Sequence, residues 1–78
     1  MASTKPKAKP KSFSGKKLTA LRGAMPYDEL AVEIRRKTGE SISYLSLQQY
    51  EAGQMQPGSE KLAVIAAYFG VAIDDLFE

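Results

Sequence analysis

The sequence predicts an all-α protein, a compact bundle of five short helices preceded by a disordered basic tail. Three observations carry this expectation. Start and stop signals bracket successive segments, with Ser43 before and Gly53 after one of them, and Ser59 before and Gly70 after the next. Leu62, Ile65, Ala66 and Phe69 recur at i, i+3, i+4 and i+7, the stripe by which an amphipathic helix meets a core. No stretch alternates apolar and polar residues in the manner of a half-buried strand. A chain of 78 residues holds one domain, and at this size helices are the easiest way to close a core.

Residues 1–15 make up the tail and residues 16–78 the domain. Lys5-Pro6-Lys7-Ala8-Lys9-Pro10-Lys11 alternates charge with small or rigid residues, and Phe13 is the one aromatic nearby. Such a stretch buries too little to offset its ordering entropy, and its prolines favour extended polyproline II. Residues 1–22 carry seven basic side chains and no acid, whereas residues 23–78 carry four basic and nine acidic ones. A basic arm on a mildly acidic domain points to a polyanion partner. Two readings stand for Lys5, Lys7, Lys9, Lys11, Lys16 and Lys17: an arm on DNA phosphates or in a minor groove, or a solubilising tail.

The first helix is expected over Lys16–Ala24, with Leu18 and Leu21 as its apolar stripe. The second starts at Pro26, whose missing N–H suits the first helical position. Asp28 and Glu29 then favour the positive end of the helix dipole, and Arg35, Arg36 and Lys37 the negative end before Gly39. Leu30, Ala31 and Ile34 form the buried face. The basic trio reads either as a solvated helix end or as a set of phosphate contacts.

The third helix, about residues 43–52, puts Leu47 and Tyr50 on one face and turns Ser46, Gln48, Gln49 and Ala52 away. A short helix that exposes small polar residues and glutamines suits insertion into a DNA major groove. Gln pairs bidentately with adenine, and Ser bonds a base or a phosphate. The fourth helix runs from an Ser59 cap to Phe69. The fifth is short, Ile73–Phe77, with Ala72 as a weak cap.

Several classes are set aside. There is no Cys and no His, hence no disulfide framework, no thiolate and no imidazole for acid–base work or metal binding. The nine acids show no metal-ligand spacing, and Gly23, Gly39 and Gly53 are isolated rather than part of a phosphate-cradling loop. No enzyme activity, cofactor, metal or small-molecule ligand is therefore expected. No apolar run approaches the roughly 20 residues of a membrane span, and no signal peptide opens the chain. A cytoplasmic, nucleoid location follows as the expectation.

Ile42-Ser43, then Leu47, then Tyr50-Glu51-Ala52-Gly53, then Pro57, resembles the third helix and following loop of the phage-repressor (Cro/cI, or XRE-type) helix-turn-helix family. Leu62-Ala63, Ile65-Ala66, Phe69-Gly70-Val71, Asp74 and Leu76 are similar to that family's fourth helix and the start of its fifth. The resemblance covers about residues 17–77. It implies a helix-turn-helix formed by helices 2 and 3, and a bacterial or phage transcription regulator, commonly a repressor, that binds double-stranded DNA. Base contacts would fall to Tyr44, Leu45 and Gln49, with Ser46 and Gln48 beside them. Phosphate contacts would come from Ser43, Gln54, Gln56, Ser59 and Lys61. Arg22 and Glu51 would form a structural ion pair.

Alternatives stay open at two of these positions. Tyr44 packs on Leu47 or reads a base; Leu45 touches a thymine methyl or adds to the core. The chain also departs from the family pattern. Ser43 stands nine positions after Ile34, where that family usually has about three, and the extra residues lengthen either helix 2, by more than a turn, or the turn. Leu76 and Phe77 are the spare apolar pair for a weak homodimer. The competing function is a nucleoid-associated or protein-interaction module with mainly non-specific DNA affinity.

Overall fold

The computed structural model describes residues 12–78. Four α-helices follow one another, α1 (Gly15–Arg22), α2 (Tyr27–Thr38), α3 (Tyr44–Ala52) and α4 (Ser59–Phe69), and a 3-10 turn, Ile73–Leu76, closes the chain. The expected fifth α-helix is thus a single 3-10 turn. Asp75 accepts a hydrogen bond from the Ala72 N–H (3.1 Å) at its start, and Phe77 is already extended at its end, so the turn has no room to propagate.

Helix boundaries follow local capping. Ser14 accepts from the Lys17 N–H and starts α1 one residue before Lys16; Gly23 ends it before Ala24. Pro26 caps α2 from outside the helix, in extended geometry, instead of occupying its first turn. At α4 the cap is Gly58, and Ser59 is the first helical residue. The surplus residues between Ile34 and Ser43 are shared. One further turn of α2 reaches Thr38, whose hydroxyl donates to the Ile34 carbonyl (2.7 Å), and residues 39–43 form the connection to α3.

The core draws on every helix. Leu18 of α1, Leu30 and Ile34 of α2, Leu47 of α3, Ile65 of α4 and Leu76 of the 3-10 turn are fully buried, with Ile42, Tyr50 and Ala66 beside them. Ile42 pins the α2–α3 connection to this core. Gly15 lets α1 approach α3, because a Cβ there would collide with the Glu51 carbonyl oxygen.

The folded domain begins earlier than a boundary at residue 15. Glu78 donates to the Ser12 carbonyl (3.0 Å) and Ser14 to the Leu76 carbonyl (2.8 Å), an isolated antiparallel pairing centred on Phe13 and Phe77. Phe13 is buried, edge-on to Tyr50 (6.2 Å) and to Phe77 (6.5 Å). The local Lys/Pro/Ser composition hid this, since the partner strand lies at the other end of the chain. Lys16 and Lys17 sit in the first turn of α1, whereas Lys5, Lys7, Lys9 and Lys11 lie outside the described residues.

Candidate nucleic-acid interface

The third helix has one face locked into the domain. Its N-terminus is capped by Ser43, which accepts from the Ser46 N–H (3.1 Å). Its C-terminus closes in a Schellman motif, in which Gly53 adopts a φ of 75° and the Gln54 N–H returns to the Gln49 carbonyl (2.9 Å). Between these ends Leu47 and Tyr50 enter the core.

Glu51 fastens the same face to α1 and α2. Its Oε2 accepts from Arg22 Nε (2.7 Å), and its Oε1 from Arg22 Nη2 (3.1 Å), Thr19 Oγ1 (2.8 Å) and Tyr27 OH (2.8 Å). Arg22 also donates to the Met25 carbonyl (2.8 Å) and lies over the Tyr27 ring, 4.2 Å from its centre. The Arg22 and Glu51 side chains are only 16% and 6% exposed. Burial pushes the Glu51 carboxyl up, but the hydrogen bonds from Arg22, Thr19 and Tyr27, with the Arg22 charge, outweigh it and hold the pKa below the ordinary value. The hydrogen bond to Glu51 raises Tyr27, helped by burial, and it raises Arg22 as well.

Arg22 and Glu51 are thus brought together, and Thr19 and Tyr27 complete a cluster that the sequence did not single out. One signal existed for Thr19: it stands three residues before Arg22, on the same helical face.

The opposite face of α3 meets solvent. Tyr44 and Leu45 are each 53% exposed, and Gln48 and Ala52 are exposed too. With 100° per residue, Leu45 lies almost opposite the core centred between Leu47 and Tyr50. Leu45 therefore does not join the core, and Tyr44 stays half-exposed. Ser46 and Gln49 are half-buried on the flank, and the Ser46 hydroxyl is held 3.0 Å from that of Ser43. Gln48 is accordingly the more open of the two glutamines. Tyr44 and Gln48 line a groove with Pro26, Tyr27 and Asp28 at the start of α2.

The basic trio at the end of α2 divides three ways, as consecutive helical residues must. Arg36 pairs with Glu33, Lys37 lies 5.3 Å from the centre of the Tyr68 ring, and Arg35 borders a second groove with Val32 and Ser43. Gln54, Gln56 and Ser59 are exposed between α3 and α4. Lys61 donates to the Ser41 carbonyl (2.8 Å) and so braces the α2–α3 connection.

Leu76 and Phe77 are not a spare apolar pair. Leu76 is fully buried, and Phe77 packs on Phe13, so the surface assigned to a homodimer is used within the chain. Val32, at 62% exposure, and Met55 are exposed large apolar side chains for which the sequence suggests no role.

Among the described residues, no helix is long and apolar enough to cross a membrane, and no three potential ligand side chains are grouped to hold a metal. No protein-family model, curated protein or solved structure matches the chain.

Proposed function

We propose that the chain is a sequence-specific, DNA-binding regulator of transcription that acts in the nucleoid, with α2, the connection 39–43 and α3 serving as its helix-turn-helix. The observation that carries this reading is the division of α3. One face is immobilised by Leu47, Tyr50 and Glu51, while Tyr44, Leu45 and Gln48 stand exposed on the other. A recognition helix needs that combination: a rigid mount, and side chains that lose no internal contact when they meet base edges.

Charge argues for divided labour. Residues 12–78 hold seven basic side chains against nine carboxylates, a net charge of −2, and α3 itself has no cation. Attraction to phosphates therefore falls to the Lys-rich N-terminal segment, assisted by Lys16, Lys17 and Arg35. The exposed glutamines and Ser59 after α3 add neutral contacts that set register. Asp28, beside Tyr44 and Gln48, tolerates a groove floor better than a phosphate.

The exposed Val32, Tyr44 and Leu45 favour a second reading, a module that docks another protein through α3 and uses its lysines for non-specific DNA affinity. Selection of bound duplexes from a random-sequence pool separates the two. The regulator enriches a defined sequence, bound on the order of a thousandfold more tightly than scrambled DNA at physiological salt. The module enriches none.

A further inference from the structure

We infer that the outer face of α3 reads A·T base pairs, with Leu45 and Tyr44 on thymine methyl groups and Gln48 on adenine. The inference rests on the DNA-reading function proposed above and names the class of site that it takes.

The chemistry of the major-groove edge supplies the argument. Guanine offers two acceptors, O6 and N7, and is read best by the paired donors of Arg or by Lys. The third helix contains neither. Among the nearby cations, Arg35 borders the cap residue Ser43, Arg22 is committed to Glu51, and Lys61 to the Ser41 carbonyl. A guanine under Leu45 or Gln48 would lose its water without gaining a charged donor from α3.

Thymine differs. Its C5 methyl is the apolar group of the major-groove edge, and the half-exposed Leu45 and Tyr44 are the apolar groups that α3 presents. Gln48 follows Leu45 by three positions and Tyr44 by four, so the three side chains share one patch. A carboxamide can both accept from adenine N6 and donate to N7, and thereby reads the partner base of the same pairs. Because 5-methylcytosine places an identical methyl at the same edge, it substitutes in part for thymine on this surface.

The test uses the full chain. Duplexes enriched from a random pool are resynthesised with deoxyuridine replacing one thymine at a time, which removes the methyl and nothing else. At contacted positions affinity falls about four-fold per methyl. Leu45→Ala, whose melting temperature stays at the wild-type value because the side chain is exposed, binds thymine and deoxyuridine duplexes equally at one of those positions. Enriched duplexes with G·C at the contacted positions overturn the inference while sequence reading stands. So does a wild-type chain that binds deoxyuridine duplexes as tightly as thymine ones. A pool from which nothing is enriched removes the DNA-reading function, and this inference with it.

Discussion

The two faces of α3 are built from similar residue types and are used in opposite ways. Tyr50 and Leu47 on one face are buried, and Glu51 beside them accepts hydrogen bonds from Arg22, Thr19 and Tyr27. Tyr44 and Leu45 on the other face are half-exposed, with the uncharged Gln48 next to them. A tyrosine, a leucine and a polar neighbour thus form a mount on one side and an open surface on the other. What separates them is register against α1 and α2: Leu47, Tyr50 and Glu51 point at those helices and are buried or hydrogen-bonded there, whereas Tyr44, Leu45 and Gln48 stay exposed. Stability and recognition should therefore respond to different substitutions in one nine-residue helix.

The largest effect is expected at the centre of the mount. Leu47→Ala should destabilise the domain by about 2–5 kcal/mol, the usual range for emptying a leucine site in a core, as read by urea unfolding. Gly15→Ala follows. Its methyl would collide with backbone at Glu51, which cannot rotate aside as a side chain could, so a loss of about 1–3 kcal/mol is expected. A neutral Gly15→Ala would mean that α1 and α3 are further apart than described.

Arg22→Ala tests the polar part of the mount. It leaves the Glu51 carboxylate with Thr19 and Tyr27 as its remaining donors, and should cost about 1–3 kcal/mol. Adding Glu51→Ala should recover part of that loss; strict additivity in the double-mutant cycle would show that the two side chains do not interact.

The cluster also has a pH signature. Glu51 has a folded pKa below its unfolded value, so its stabilisation is complete above the unfolded pKa of about 4.3 and is lost as pH falls through the folded one. Tyr27 and Tyr50 are shifted upward, Tyr27 chiefly by its hydrogen bond to Glu51 and Tyr50 by burial, and act on the other side. Their contribution is complete below about pH 10 and is lost as pH rises through the folded values. Thermal melts across the acid range should show a shallower decline for Glu51→Gln than for the wild type.

The smallest effect on stability is expected from the open face. Gln48→Ala and Leu45→Ala should each stay within about 0.5 kcal/mol of the wild type, because both side chains are exposed. A loss of several kcal/mol from either would erase the distinction between the two faces.

Much of the mount was legible in the sequence because it depends on local signals. Ser43 and Gly53 bracket α3, and Leu47 and Tyr50 fall on one face at helical spacing. The resemblance to phage repressors added Arg22 and Glu51 as a pair. Features that depend on distant neighbours were not legible. Phe13 looks like part of a polar tail until it is paired with Phe77, and Leu76 looks spare until the chain ends meet. The resemblance put Gln49 ahead of Gln48 as a base reader, yet Gln49 is half-buried and Gln48 exposed, because which of them is open depends on the flank that neighbouring elements cover. Arg35, Arg36 and Lys37 read as one basic cluster, yet a helix sends them in three directions, to a groove, to Glu33 and to Tyr68.

The most direct test of the central claim, that α3 reads sequence while the N-terminal lysines supply affinity, is duplex binding as a function of salt for two variants on preferred and scrambled DNA. Deleting residues 1–11, which leaves the Ser12–Glu78 pairing in place, removes Lys5, Lys7, Lys9 and Lys11 and should flatten the log–log salt dependence by roughly 3–4 units, weakening both duplexes alike. Gln48→Ala should leave that slope nearly unchanged and cost about 1–3 kcal/mol on the preferred duplex alone. Equal weakening of both duplexes by Gln48→Ala, with the slope unmoved by the deletion, would contradict the account.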